Sequence, residues 1–194
     1  MRQLWRVVIT AIQTHQTRSR QLLGSLIIVA GLVTFFTMSW WMPRTWYRAL
    51  LYPGRRPNLV SRMLNSAGAW ASSIGIAPSQ MVSLETTGRR TGRTLRVPLV
   101  VAKLEGHRYL VSMLGENADW VRNVRASNGE AVLRHGVTEP VKLQEVAVSE
   151  RPPILRTFLK RAPGARPHFD LAPDASLEEF ARIAPQVPVF RVLS

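Results

Sequence analysis

The chain has 194 residues, which suffices for one domain with a hydrophobic core and an additional segment. It carries 26 basic and 12 acidic residues, and the formal charge of +14 favours an anionic partner: a nucleic acid, an anionic membrane surface or a polyanionic small molecule. A general preference for arginine is the alternative explanation. The absence of cysteine excludes disulfides, thiolate metal sites and cysteine nucleophiles.

The N-terminal part contains a long uncharged run, LLGSLIIVAGLVTFFTMSWWM, at residues 22–42. As a helix this run is about 31 Å long, which matches the hydrocarbon core of a bilayer. Aromatic residues of the kind found at membrane interfaces crowd its end: Trp40, Trp41, Trp46 and Tyr47. We therefore predict a basic segment with a membrane-anchor helix at residues 1–44 and a linker at 45–57. The alternatives are a cleaved signal peptide and a buried or interfacial helix.

Helical and strand patterns follow the linker. Apolar residues at helical spacing predict an amphipathic helix over residues 58–73, with Asn58 as its N-cap. The apolar residues of this helix are Leu59, Val60, Met63, Leu64, Ala67, Trp70 and Ala71. Short strands are predicted at 81–86, 95–102 and 107–113, and Glu105-Gly106 predicts a tight turn between the last two.

The second half of the chain continues with short elements. Asn117 is expected to cap a helix that ends near Ala126, and Asn128-Gly129 predicts a turn before strands at 130–135 and 137–147. Ser149, Pro152 and Pro153 predict the start of a helix that ends at Gly164 and has the apolar stripe Ile154, Leu155, Phe158 and Leu159. Ser176 and Glu179 fit a capping box for one more helix, and residues 187–193 predict a last strand.

This order of elements indicates an α+β fold. Short strands in hairpin spacing, with helices inserted rather than strictly alternating, predict a small antiparallel barrel with attached helices over residues 58–194. A parallel doubly wound sheet would need regular crossover helices, which the pattern lacks.

The stretch TGRRTGRTLR, residues 87–96, joins the first two predicted strands and contains four arginines, three threonines and two glycines. Gly88 and Gly92 allow backbone angles that expose amide groups. The arginines offer forked donors that match phosphate or carboxylate oxygens. The spacing fits neither a Walker loop nor a dinucleotide-binding loop. The stretch therefore predicts an anion-binding loop, and a solvated basic hairpin is the alternative.

A second informative stretch is VSMLGENADWVRNVR, residues 111–125. A strand that ends near Met113, a turn at Leu114-Gly115 and a helix start form a junction whose free amides suit a polar ring or a carboxylate. Trp120 either stacks on a conjugated ring or packs in the core, and the sequence does not separate these two roles.

Together, TTGRRTGRTLRVPLVV and YLVSMLGENADWVRNVRASNGEAVLRHG resemble the deazaflavin-dependent nitroreductases of actinobacteria, also described as F-420-dependent quinone reductases. The resemblance covers roughly residues 58–194 and includes RAPGARPHF at 161–169. It implies a split antiparallel β-barrel similar to the flavin reductases. It also implies the cofactor F-420, an 8-hydroxy-5-deazaflavin with a phosphate and an oligoglutamate tail.

The resemblance also implies a set of cofactor-binding residues. The phosphate and nearby tail would be held by Gly88, Arg89, Arg90, Thr91 and Gly92. The cofactor would be followed along the strand by Arg96, Val97 and Pro98. The residues beside the deazaflavin ring would be Val111, Ser112 and Met113, and the site would be closed by Trp120, Arg122 and Asn123. Leu95 stands where many relatives have an arginine, so Arg96 is expected to face the other way.

The reaction implied by the resemblance is hydride transfer from the reduced deazaflavin to a quinone or nitro-type acceptor. No catalytic residue is assigned; His168 is a candidate proton donor, and Trp70 is a candidate residue of the acceptor pocket. The four histidines lack metal-ligand spacing, so no metal is expected. An anchored reductase would meet a bilayer quinone at high local concentration.

Several alternatives stay open. The barrel could bind FMN or haem, or the protein could be a non-catalytic carrier of the deazaflavin at the membrane. Nucleic-acid binding is not expected, because aromatic residues are not interleaved with the arginines. The expected location is the cell membrane, with the barrel on the cytoplasmic side. The physiological acceptor and the oligomeric state, for which a homodimer is one option, are not determined by the sequence.

Overall fold

A computed structural model of the protein describes residues 59–193. The predicted membrane-anchor helix, its basic flank and the linker lie outside the described residues. Among residues 59–193, no helix combines the length and the apolar character that a membrane crossing requires.

The described residues form four α-helices and six strands. The helices are α1 (Leu59–Ser73), α2 (Asp119–Ala126), α3 (Arg151–Arg161) and α4 (Leu177–Ile183). The strands are β1 (Met81–Thr87), β2 (Thr94–Leu104), β3 (His107–Val111), β4 (Glu130–His135), β5 (Val137–Glu145) and β6 (Val189–Leu193). Short 3₁₀ turns lie at Val148–Glu150, Pro163–His168 and Ala184–Gln186.

The six strands pair in the order β1-β2-β3-β6-β5-β4 and form a closed barrel. Each pair is antiparallel, and β4 closes the barrel on β1 through the pairing of Leu84 with Leu133. Closure pairs the edge strands that an open sheet would expose. The predicted α+β fold, an antiparallel barrel with flanking helices, is confirmed.

Two apolar cores lie on opposite sides of the barrel wall. The inner core fills the barrel and includes Leu84, Leu110 and Phe190. The outer core lies where helices α3 and α4 cover the wall, and it includes Val111 and Leu159. Leu110 and Val111 are neighbours in β3 and enter different cores, because successive side chains of a strand point to opposite faces.

Helix α1 is confirmed as a helix, but its buried face differs from the predicted apolar stripe. Met63 is 68% exposed and Trp70 is 62% exposed, whereas Ala69 and Ser72 are buried. A Cβ atom on Gly68 would lie 3.5 Å from the ring of Pro98 in β2. The helix therefore approaches the barrel wall through small residues, and the side chains of Met63 and Trp70 stay outside.

The turn and cap predictions have different outcomes. Glu105 and Gly106 have φ angles of 51° and 76°, so the predicted tight turn between β2 and β3 is confirmed. The Ser176–Glu179 capping box of α4 is also present. The prediction that Asn117 caps α2 is wrong, because Ala118 occupies the N-cap position and no side chain caps the helix there.

Candidate functional site

The predicted anion-binding loop occupies residues 88–93 between β1 and β2. It closes on itself, since the Gly88 amide donates to the Arg93 carbonyl at 2.8 Å and the Gly92 amide donates to the Gly88 carbonyl at 2.8 Å. Gly92 has a φ of +67°, and a Cβ atom on Gly88 would lie 2.9 Å from the Arg93 oxygen. Both glycines therefore serve the tight closure of the loop.

The loop amides form hydrogen bonds within the protein, whereas the sequence predicted that they are exposed. Besides Gly88 and Gly92, the Thr91 amide donates to the Gly88 carbonyl and the Arg89 amide donates to the Asn123 side chain. The prediction that the glycines expose these amides to an anion is therefore wrong. The side chains of Arg90 and Arg93 are exposed, so their guanidinium groups are available as donors to a ligand.

Arg89 fastens the loop to helix α2. Its amide and its Nη1 donate to Asn123 Oδ1 at 3.2 and 3.0 Å, and Nη1 also donates to Asp119 Oδ1 at 3.2 Å. Asn123 is buried and donates through Nδ2 to Thr86 Oγ1 at 3.4 Å, near the end of β1. One buried amide thus connects the loop, the helix and the strand, which orders the loop before any ligand arrives.

Helix α2 is itself held firmly. Trp120 is buried in the inner core, with its ring centroid 5.4 Å from that of Phe190. Arg125 forms ion pairs with Glu145 at 2.7 Å and with Glu116 at 2.5 Å. The hydrogen bonds to Glu145 and then to Glu116 raise the pKa of Arg125, and the bond from Arg125 is the main cause that lowers the pKa of Glu145. The packing of Trp120 decides the question that the sequence left open: its ring belongs to the core.

The remaining α2 residue of the predicted set is Arg122. It is exposed, and its Nη2 donates to the side-chain oxygen of Asn117. Arg122 thus lies one residue from Asn123 on the helix that receives the loop. The contact between Arg89 and Asn123 joins the arginine loop to the helix that carries Arg122. We call the loop arginines, Asn123 and Arg122 together the loop–α2 surface.

The residues predicted to lie beside the deazaflavin ring are found at the end of β3 and directly after it. Val111 lies in the outer core, and Met113 packs against that core. Ser112 is buried; its amide donates to the Pro188 carbonyl at 3.0 Å and its hydroxyl donates to the Gly115 carbonyl at 2.8 Å. Leu110 pairs with Val101 in the middle of β2, so this part of β3 is well removed along the strand from the loop.

A concavity lies between α1 and the outer face of β1, β2 and β4. It has a volume of about 360 Å³, and its lining residues are Ser66, Ala69, Trp70, Ser73, Glu85, Arg96 and Arg134. Glu85 Oε1 lies 2.7 Å from Arg96 Nε and 2.8 Å from Arg134 Nε. We call this concavity the α1 pocket.

The strand alternation explains why Arg96 lines the α1 pocket. Leu95, Val97 and Leu99 pack against the inner core, so Arg96 and Pro98 point outwards towards α1. Arg96 thus faces the opposite side of the wall from Leu95, as the strand alternation predicted. The structure therefore separates Arg96 and Trp70, outside the wall, from Asn123 and Trp120 at the inner side.

His168 lies after α3, outside the set of residues that form the loop–α2 surface and the α1 pocket. It ends the 3₁₀ turn that follows α3, and it is half-buried. Its neighbour Phe169 packs on Phe158 at 6.2 Å between ring centroids, in the outer core.

Several residues of the loop–α2 surface and of the α1 pocket were not predicted as site residues. Thr86 and Asp119 join Asn123 and Arg89, and Glu85 and Arg134 join Arg96. The inward direction of Thr86 follows from the alternation of β1. The partners of Arg89 could not be read from the sequence, because they lie 30 and 34 residues away.

The sequence model of the F-420H(2)-dependent quinone reductase family matches residues 59–165. No curated protein matches the chain. Among solved structures, an F-420-H2 dependent reductase, FDR-A, is 20% identical, and the alignment covers 59% of this chain and 95% of that one with a TM-score of 0.41. A haem-binding protein from Mycobacterium smegmatis is 14% identical, with coverage of 65% and 50% and a TM-score of 0.41.

The barrel, its arginine loop and the family match define the protein as an oxidoreductase. The chain belongs to the F-420H(2)-dependent quinone reductase family, and its cofactor is therefore coenzyme F-420. The loop–α2 surface fits the anionic part of this cofactor chemically, because its exposed guanidinium groups match phosphate and carboxylate oxygens. Family membership favours F-420 over the FMN and haem alternatives.

Proposed function

We propose that the protein transfers a hydride from reduced F-420 to a quinone or nitro-type acceptor, with the loop–α2 surface as the cofactor's anion site. The observation that carries this proposal is the ordered loop, which Arg89 and Asn123 hold against α2. A preordered loop loses less conformational entropy when a ligand binds. Bound in its reduced form, the cofactor supplies the hydride, and the chain binds, orients and shields it.

In this proposal the basic residues have separate tasks. Arg90 and Arg93 are exposed on the loop and bind the phosphate and the oligoglutamate tail. Arg122 extends the positive surface along α2, while Arg89 supports the loop from beneath through Asp119 and Asn123. Gly88 and Gly92 keep the loop in its closed shape.

We propose the α1 pocket as the acceptor side of the site. Glu85 of β1 is paired with Arg96 of β2, and only two further residue pairs lie between them and the loop. The pocket and the loop are therefore close along the same hairpin. Trp70 offers an exposed apolar ring to a flat acceptor, and the guanidinium groups of Arg96 and Arg134 suit the oxygens of a quinone or a nitro group. The negative charge of Glu85 keeps both arginines in place.

The membrane location is a separate part of the proposal. It depends on the uncharged run at residues 22–42 and its basic flanks. We propose that this run anchors the protein in the cell membrane with the barrel on the cytoplasmic side, where it meets a bilayer-dissolved quinone.

The first experiment is a titration of the detergent-solubilised full-length protein with F-420, followed by cofactor fluorescence, with FMN as the parallel ligand. The Arg90→Ala/Arg93→Ala variant is expected to bind F-420 at least about ten-fold more weakly, because one hydrogen bond to a charged group contributes about 1.5–3 kcal/mol. Lys160→Ala/Arg161→Ala, which removes two exposed charges at the end of α3, is the matched control. Equal losses in both variants, or a preference for FMN, would contradict the assignment of the loop.

A second arm separates a catalyst from a carrier of the cofactor. The reduced cofactor is mixed with menadione or a nitro compound, and its oxidation is followed with and without the protein. Catalytic turnover supports the reductase. Tight binding without turnover would favour the carrier.

A further inference from the structure

An exposed apolar patch lies at one corner of the described domain. Seven large apolar residues in the described part of the chain are strongly exposed. Five of them belong to α1, to the turn after it, or to the start of β5. These five are Met63, Trp70, Ile74, Ile76 and Val137. We call them the α1 patch.

The five residues converge for geometric reasons. Met63, Trp70 and Ile74 are spaced by seven and four residues, which places them on one stripe of the helix. The turn after α1 touches the β4–β5 turn: the Gly136 amide donates to the Ser73 carbonyl at 3.1 Å, and a Cβ on Gly75 would lie 3.1 Å from the Gly136 Cα. Ile76 and Val137 flank these two glycines, and they are 69% and 74% exposed.

The segment that carries most of the patch also lacks charge. No Asp, Glu, Lys or Arg occurs between Met63 and Leu84, although a fifth of all residues in the chain are charged. The solvent side of a surface helix ordinarily carries charged residues. A contiguous apolar patch of this kind marks a surface that contacts a partner or a membrane.

We infer that the α1 patch rests in the interfacial region of a lipid bilayer. The chain before α1 supports lipid as the occupant: its first 58 residues contain eight arginines and no acidic residue, together with the uncharged run at 22–42. Such a segment is attracted to an anionic membrane surface. Sixteen residues separate the uncharged run from Leu59. Fully extended, they span about 55 Å, which is the greatest distance between the run and the start of α1.

The composition of the patch fits a membrane interface better than a second copy of the chain. Trp70 has the amphipathic ring that is enriched at the level of lipid headgroups, and isoleucine and valine supply apolar area without charge. A symmetric dimer through this patch would bring two N-terminal segments of charge +8 close together, and their repulsion opposes such an interface. Because the α1 pocket shares Trp70 with the patch, docking would also direct that pocket towards the bilayer.

The absence of native cysteine allows a direct test. Full-length Ile76→Cys and Val137→Cys variants are labelled with an environment-sensitive fluorophore and reconstituted in vesicles that mix phosphatidylcholine with anionic phosphatidylglycerol. Val148→Cys and Leu177→Cys are the controls, because these residues are also exposed and apolar but lie outside the patch. We expect blue-shifted emission at residues 76 and 137, quenched by spin-labelled lipid and protected from aqueous iodide, and the opposite behaviour at 148 and 177.

Each other outcome contradicts the inference. Iodide quenching at all four positions would mean that the patch faces water. Protection from iodide without quenching by the spin-labelled lipid would mean that protein covers the patch; a dependence on protein density would then identify a second copy, and its absence would identify the chain's own N-terminal segment. The readout does not involve the cofactor, so failure of the proposed reductase activity leaves this test unaffected.

Discussion

Arg89 and Asn123 are joined by two hydrogen bonds to one oxygen, the Asn123 Oδ1, from the amide and the guanidinium of the same arginine. The two residues are 34 positions apart. The contact is central to the loop–α2 surface because it fixes the backbone and the side chain of the loop together. Four predictions follow from this and related contacts, each with its own measurement.

Replacing Asn123 by alanine removes the shared acceptor. Asn123 is buried, so we expect a loss of about 1–3 kcal/mol in the free energy of unfolding, together with weaker F-420 binding. Denaturant unfolding and the fluorescence titration measure the two effects. Asn65→Ala, on helix α1, is a control for the removal of an asparagine side chain. Unchanged F-420 affinity in a destabilised Asn123→Ala protein would show that loop order does not matter for binding.

Asp119 holds Arg89 through an exposed ion pair, since the Asp119 side chain is 71% exposed. Its negative charge repels an anionic cofactor that Arg90 and Arg93 bind on the same loop. We expect Asp119→Asn to bind F-420 a few-fold more tightly and to leave stability almost unchanged, because exposed ion pairs contribute little. Asp174→Asn, also exposed, is the control. Weaker binding in Asp119→Asn would instead mean that Asp119 keeps Arg89 in its binding position.

Gly129 joins α2 to β4 and cannot accept a side chain. Its φ is +90°, and a Cβ atom there would lie 2.4 Å from the Leu143 carbonyl oxygen in β5. Gly106 has a φ of +76°, but a Cβ atom at that position meets nothing within 4 Å. We expect Gly129→Ala to lower the melting temperature much more than Gly106→Ala, because only the first adds a backbone clash to the strain. Similar shifts in the two variants would contradict this geometry.

Glu145 makes the stability of the fold depend on pH. Its pKa is lowered in the folded state, first by the hydrogen bond from Arg125 and further by the charge of Arg151. A carboxyl with a lowered pKa stabilises the fold above its unfolded-state pKa, near 4.5, and this contribution is lost as the pH falls through the folded value. We therefore expect the free energy of unfolding to decrease as the pH drops below about 4.5. Glu145→Gln should be less stable at neutral pH, and its free energy of unfolding should depend less on pH in the acid range.

Urea unfolding across the acid range checks this prediction. The exposed Glu150→Gln variant is the control, and it should keep the slope of the unmodified protein. If the free energy of unfolding of Glu145→Gln falls equally steeply at acid pH, other carboxyl groups cause the pH dependence.

Much of the fold follows from local sequence. The turn at Glu105-Gly106, the capping box of Ser176 and Glu179, and the apolar stripe of α3 are each determined by residues a few positions apart. The basic loop was likewise predictable as the connection between β1 and β2. Interactions of this range are the same in any tertiary arrangement, so the sequence alone determines them.

The tertiary structure decided the rest. Trp120 enters the inner core rather than a ligand site because α2 packs its ring against Phe190. Trp70 stays outside because α1 approaches the wall through Gly68 and Ala69. Arg89 finds its partners on a helix that is distant in sequence. Each of these outcomes depends on which surfaces meet when the barrel closes, and that information lies in contacts between distant residues rather than in any single stretch of the chain.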